Sequence, residues 1–222
     1  MTASSSASMN AALRKRWLKF TRSLGWQGDA NAVWEMLLTR YSEPVRAYHN
    51  LAHIAACLKA FDETSTEGVD RKAVELAIWF HDAVYDPKAK DNEEQSAELF
   101  ALCAREAALP ELLIAEVVRL ILITQHKAIP QMREEKLLVD VDLSILGSDT
   151  EAFAEYERQI RKEYAWVAEK DFCHGRAAVL EQFLKRERIY HTDHFFQRYE
   201  TKARLNLQKA ITHWREKAAH LP

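Results

Sequence analysis

Apolar positions recur along this chain at intervals of three and four. In "ELLIAEVVRLILITQH" they fall at Leu113, Val117, Leu120 and Ile121, one side of a helix. "AFAEYERQIRKEY" puts Phe153, Tyr156, Ile160 and Tyr164 on a second such stripe. Ser148, three residues before Glu151, fits a capping box, which predicts a helix start just there. The pattern predicts about ten helices, near 10–24, 30–41, 50–62, 70–82, 91–107, 111–126, 133–140, 149–164, 168–188 and 193–217. Breaks come at Gly25 to Gly28, Pro44, Gly68, Asp86-Pro87, Pro110, Pro130 and Gly147. No segment alternates as a strand does, and 5 glycines and 5 prolines are too few for the turns of a sandwich or barrel. The expectation is an all-α fold, with one domain over residues 10–222 behind a short disordered tail, 1–9.

Composition narrows the function classes. With 222 residues and 48% apolar side chains the chain can bury a substantial core. Its 31 basic and 33 acidic residues nearly cancel, so no global field favours a nucleic-acid polymer or an acidic membrane. No apolar run approaches the roughly 18 residues that span a bilayer. "MTASSSASMN" has neither the basic start nor the apolar stretch of a secretory signal. The three cysteines, Cys57, Cys103 and Cys173, are scattered and odd in number, which suits reduced thiols and a cytoplasmic protein.

Two polar stretches interrupt this pattern, "RAYHNLAHI" (Arg46 to Ile54) and "WFHDAVYDP" (Trp79 to Pro87). On a helix starting near His49, His49 and His53 would share a face, about 6 Å apart along the axis. His81 and Asp82 are adjacent and would diverge by about 100° in mid-helix, so they could meet one ion only at a helix end. Asp86-Pro87 predicts such an end, and the apolar run "AVELAIWF" delivers the pair to the edge of the core. "LLVDVDLSILG" embeds Asp140 and Asp142 in an apolar segment, where a carboxylate needs a partner or a cation.

In order, His53, His81-Asp82 and Asp142 resemble the H…HD…D signature of the HD superfamily of metal-dependent phosphohydrolases. "YHNLAHI" is similar to the YHNxxH motif of cyclic-nucleotide phosphodiesterases. With "DNEEQSA", "ITQHK", "DVDLSILG" and "IYHT…ARLNL", the chain resembles a bacterial group of HD-type phosphohydrolases over roughly residues 30–215. The resemblance implies a multi-helix HD-type bundle. Its ligands would be His53, His81, Asp82 and Asp142, with His49 giving a proton to the leaving group and Asp82 also counted in the catalytic machinery. Asp140 competes with Asp142 for the last place; the "DxL" turn of the superfamily favours Asp142.

Imidazoles and carboxylates without a thiolate suit Mn, Fe, Co, Ni, Mg or Zn as divalent ions. Asp86, Glu93, Glu94, His126 and Asp140 are the candidates for a second ion or for groups supporting the first. Arg46, Lys127 and Arg188 are the candidates for phosphate, with Tyr190 and Arg204 as further choices. The expected partner is a small phosphorylated molecule such as a nucleotide, cleaved as a phosphomonoester or phosphodiester; a homodimer is open. Two other readings use the same ligands: a di-iron oxygenase on the same fold, and a metal-stabilised ligand-binding protein without turnover.

Overall fold

The computed structural model describes residues 3–64 and 67–221. Among them are ten α-helices and no strand: α1 Ala3–Leu24, α2 Ala30–Tyr41, α3 Leu51–Asp62, α4 Arg71–Phe80, α5 Asn92–Glu106, α6 Glu111–Ile123, α7 Arg133–Asp142, α8 Thr150–Glu163, α9 Glu169–Leu184 and α10 Asp193–Ala219. A 3₁₀ turn, Leu143–Gly147, continues directly from α7. The fold is all-α, and no described helix is long and apolar enough to cross a membrane.

Short acidic and amide side chains set the helix starts. Asp29 accepts from Asn31 and Ala32 N–H, Asn50 from Ala52, Asp70 from Lys72 and Ala73, and Asp149 from Ala152. At α8 the capping residue is thus Asp149 rather than Ser148, whose backbone is extended. The other difference lies at the N-terminus, where α1 begins at Ala3 and takes in residues 3–9, read from composition as a tail. Propagating an existing helix through an Ala/Ser run needs no new nucleus, and Ala is the best helix former. Gly25, at φ 74°, ends α1 in the left-handed conformation that suits glycine.

By its internal contacts the chain divides into two compact units, residues 1–138 and 139–222. The first is organised around α4, which packs on α3, α5 and α6. Val74, Leu76, Ala77, Ile78, Trp79 and Phe80 are all fully buried, so this helix is apolar on nearly every side, as a central helix must be. Trp79 meets Trp17 and Trp34 edge-on at 5.6 and 6.3 Å, and Phe80 meets Phe100 at 5.2 Å, the geometry aromatic quadrupoles prefer. Burying each such ring contributes about 1.5–3 kcal/mol.

In the second unit α9 and α10 form an antiparallel hairpin. Lys170 near the start of α9 reaches the Leu221 carbonyl, and Arg204 of α10 donates to Leu184 at the end of α9. Arg204 also donates to the Arg186 and Glu187 carbonyls and pairs with Glu200, which accepts from the Ile189 and Tyr190 N–H groups. These two residues therefore fasten the 185–192 connection. The Tyr190 hydroxyl donates to the Leu143 carbonyl. Neither Arg204 nor Tyr190 presents a free group to phosphate.

The 3₁₀ turn lies hard against α10. A Cβ added at Gly147 would sit 2.5 Å from Tyr199 Cβ and 2.8 Å from its carbonyl oxygen. Gly147→Ala is expected to lower stability by about 1–3 kcal/mol through overpacking, measured by urea unfolding. An unchanged midpoint would mean that the turn and α10 separate freely.

Candidate metal centre

His53 sits on the first turn of α3, whose start is fixed by Asn50: its side chain caps Ala52 N–H and donates to the Ala47 carbonyl. His49 lies before this cap, off the helix, so the shared helical face predicted for His49 and His53 does not form. The short polar Asn50 suits a cap better than a helix interior, so the helix begins at Leu51, two residues after His49. The two rings are still neighbours, with centroids 6.1 Å apart, and His49 stacks on Tyr85 at 4.3 Å.

The His-Asp pair arrives as the helix end requires. α4 stops at Phe80, His81 is its C-cap with N–H to the Ala77 carbonyl at 2.9 Å, and Asp82 follows in the turn. His53 and His81 are buried, while the Asp82 side chain keeps 17% of its exposure, so the cluster opens on one side only.

Three electronegative atoms converge there. His53 Nε2 lies 3.2 Å from His81 Nε2, His81 Nε2 lies 3.2 Å from Asp82 Oδ2, and His53 Nε2 lies 3.4 Å from Asp82 Oδ2. Ligands about 2.1 Å from one ion stand about 3.0 Å apart at right angles and about 3.4 Å apart in a tetrahedron. The observed triangle therefore has the size of one face of a coordination sphere. His81 Nδ1 is 3.0 Å from the Ile78 carbonyl oxygen, which can only accept, so Nδ1 carries a proton. In neutral His81 the Nε2 lone pair then faces the other two atoms, the orientation that a metal-binding imidazole needs. Burial raises the Asp82 carboxyl, but His81, with His49 and His53, outweighs it and holds the group well below the usual carboxylate range. A carboxylate that stays charged among imidazoles fits a cation or the protons that stand in for one. The donor set passes the test for a divalent ion.

Cys57 is a neighbour that spacing alone could have flagged, since it follows His53 by one helical turn. Its Sγ is 3.7 Å from both ring nitrogens of His53.

Arg46, a candidate for phosphate in the sequence, is turned into the protein. Its side chain is completely buried, with Nε on Glu43, Nη1 on the His49 and Asp82 carbonyls, and Nη2 on the Ala83 carbonyl. Its guanidinium lies between the Tyr41 and Tyr85 rings, at 5.1 and 5.4 Å. Four of its five N–H donors are spent on the protein itself. Arg46 thus ties the segment bearing His49 to the turn bearing Asp82.

The proposed second set does not assemble: no group of three potential ligands among the described residues includes Asp86, Glu93, Glu94, His126 or Asp140. Asp86 is exposed and fastens a turn, accepting from Lys88 N–H, while its own N–H donates to Asn92. Glu94 is exposed on the first turn of α5, where acidic residues favour the helix dipole. Glu93 is nearer the site. Burial raises its carboxyl, the charge of Asp82 raises it further, and Lys127 opposes both. His126 follows α6 with a positive φ of 55°. Lys127 is exposed beside it. Arg188 donates to the Tyr190 carbonyl and pairs with Asp193 at the surface.

Asp140 and Asp142 belong to the second unit. Both Asp140 oxygens are engaged: Oδ1 by His191 N–H, Oδ2 by Thr192 N–H and hydroxyl, all at 2.7 Å. Burial pushes its carboxyl up to about 7 against these donors. Asp140 therefore anchors the start of α10, with three donors on its two oxygens. Asp142 is the last residue of α7; its place among the ligands rests on the sequence resemblance. Comparison with protein-family models, with curated proteins and with solved structures finds no match in any of the three.

Proposed function

We propose that the chain is a divalent-metal-dependent phosphohydrolase acting on a phosphomonoester or phosphodiester of a small molecule, with nucleotides as the first substrates to try. The observation that carries this reading is the triangle of His53 Nε2, His81 Nε2 and Asp82 Oδ2, with His81 oriented by the Ile78 carbonyl. The ordered H…HD…D and YHNxxH motifs add the reaction class.

His53, His81 and Asp82 would hold the ion. Once bound, a divalent ion supplies Lewis acidity toward a phosphoryl oxygen and makes a water more acidic. His49, held against Tyr85 beside these ligands, gives the proton that the leaving oxygen needs. Imidazole suits that task because it exchanges protons near neutral pH. Lys127, exposed and close enough to act on Glu93, is the cation left for the substrate phosphate once Arg46 is accounted for.

The test is phosphate release from a panel of nucleotides, p-nitrophenyl phosphate and bis-p-nitrophenyl phosphate, with Mn²⁺, Co²⁺, Ni²⁺, Mg²⁺ or Zn²⁺ added in turn. Activity should vanish with EDTA and return with metal, and His49→Gln should lower kcat by roughly 10²–10⁴-fold while metal stays bound. Metal-loaded protein that releases nothing from the panel overturns the reading, and oxygen uptake by the iron form would replace it with the oxidative one.

A further inference from the structure

A second site lies in the unit formed by residues 139–222 and shares no residue with the metal centre. α8 and α10 flank a groove of about 580 Å³, within the range of small-molecule sites. Its lining on α8 runs from Thr150 to Lys162 and on α10 from Asn206 to Lys217, each at intervals of three and four. Each helix thus turns one continuous face to the groove over about 16 Å. The backbones of the two helices scarcely approach one another, and side chains bridge the gap. The floor is apolar, with Phe153, Ala154, Ala210 and Trp214. Glu157 is spent beneath it, accepting from Trp214 Nε1 at 2.6 Å and paired with Arg176.

The rim is basic. Arg158 is paired with Glu155, and Lys217 with Glu169. Arg161 donates to the Tyr164 and Val167 carbonyls, lies over the Phe172 ring and helps to hold the Glu169 carboxylate charged. Lys162 and Lys209 make no ion pair among the described residues. The one carboxylate lining the groove, Glu157, is already matched, while Lys162 and Lys209 are not paired.

We propose that this groove binds a small amphipathic anion, with an aromatic or acyl body on Phe153 and Trp214 and its carboxylate, sulfonate or phosphate group at the basic rim to which Lys162 and Lys209 contribute. Charge complementarity selects the anion, because nothing acidic is left to receive a cation. The apolar floor excludes a bare inorganic ion as the preferred occupant, since it would leave that floor wet. Volume selects a small molecule over a protein, whose interface would need roughly 800 Å² from this side.

The probe is 8-anilinonaphthalene-1-sulfonate, an aromatic body with one sulfonate, titrated into the full chain and followed by its fluorescence. Saturable one-to-one binding is expected, displaced by decanoate but not by decyltrimethylammonium or inorganic phosphate. Lys162→Glu with Lys209→Glu should weaken it on the order of tenfold or more. Ala154→Trp, which fills the floor without altering charge, should weaken it as much. Lys72→Glu, an exposed lysine in the other unit, should leave it unchanged. Near-ultraviolet circular dichroism shows that each variant is folded. No saturable binding, equal binding by the parent and both groove variants, displacement by the cationic amphiphile, or displacement by phosphate alone would each overturn the proposal. None of these outcomes depends on metal or on phosphoester turnover.

Discussion

Asp82→Asn is expected to lower divalent-metal affinity on the order of 100-fold or more while leaving the metal-free fold intact. Even groups that merely orient a ligand are worth roughly 10–100-fold in affinity, and Asp82 Oδ2 lies within 3.4 Å of both imidazole nitrogens. The amide keeps the side chain's volume and can donate to an imidazole lone pair, so the vacated interaction is replaced by a hydrogen bond rather than a hole. His81→Ala should lose the ion as well, but it also empties a site that is only 1% exposed and would cost stability on its own account. Comparing the two variants separates ligand loss from cavity formation. The measurements are metal content after dialysis and thermal melts with and without added ion. A metal at 100 times its Kd stabilises the native state by about 2.7 kcal/mol, so the parent's melting temperature should rise with metal and that of Asp82→Asn should not. Stoichiometric metal at parental affinity in Asp82→Asn would remove the triangle as a metal site.

How much of this was legible depended on whether a residue's job is local. Helix α4 could be read from its apolar run, and so could its delivery of His81 and Asp82 at a helix end, because periodicity and a following proline are local signals. The off-helix position of His49 turned on Asn50, whose side chain could cap or simply be exposed; the deciding bond to Ala52 N–H is local, but the motif drew attention to the histidines instead. The preference for Asp142 over Asp140 rests on motif, and what engages Asp140 is a contact 51 residues away in sequence. The expected second-ion residues share a composition and not a place. Asp86 and Glu94 are what acidic residues beside a turn and a helix start most often are. Arg46 is the residue whose burial the sequence hides most fully. A charged residue next to a histidine motif invites a phosphate reading, and nothing in one sequence states that it is buried.

That burial makes Arg46 the most sensitive non-ligand residue of the centre. Its planar guanidinium reaches the carbonyls of His49, Asp82 and Ala83 at 2.9, 2.6 and 3.1 Å, two segments far apart in sequence. Removing it leaves these carbonyls without the donors they point at, and an unpaired buried acceptor costs about 1–3 kcal/mol each. Glu43, its carboxylate partner, is 39% exposed and can return to water, so the loss comes from the carbonyls and from packing between Tyr41 and Tyr85. Arg46→Met should therefore destabilise the first unit by about 3–5 kcal/mol in urea unfolding, a large part of the roughly 5–15 kcal/mol by which domains are stable. Arg46→Lys keeps the charge, but three donors on one nitrogen cannot span the fork, so it should recover part of the stability only. The turn carrying Asp82 is then less firmly held against the loop carrying His49. Metal affinity in the folded fraction of Arg46→Lys should fall by roughly 10–100-fold, read from the visible spectrum of a cobalt titration. A lysine variant with reduced stability but parental cobalt affinity would reduce Arg46 to a packing residue. Parental stability in Arg46→Met would contradict the buried clamp itself.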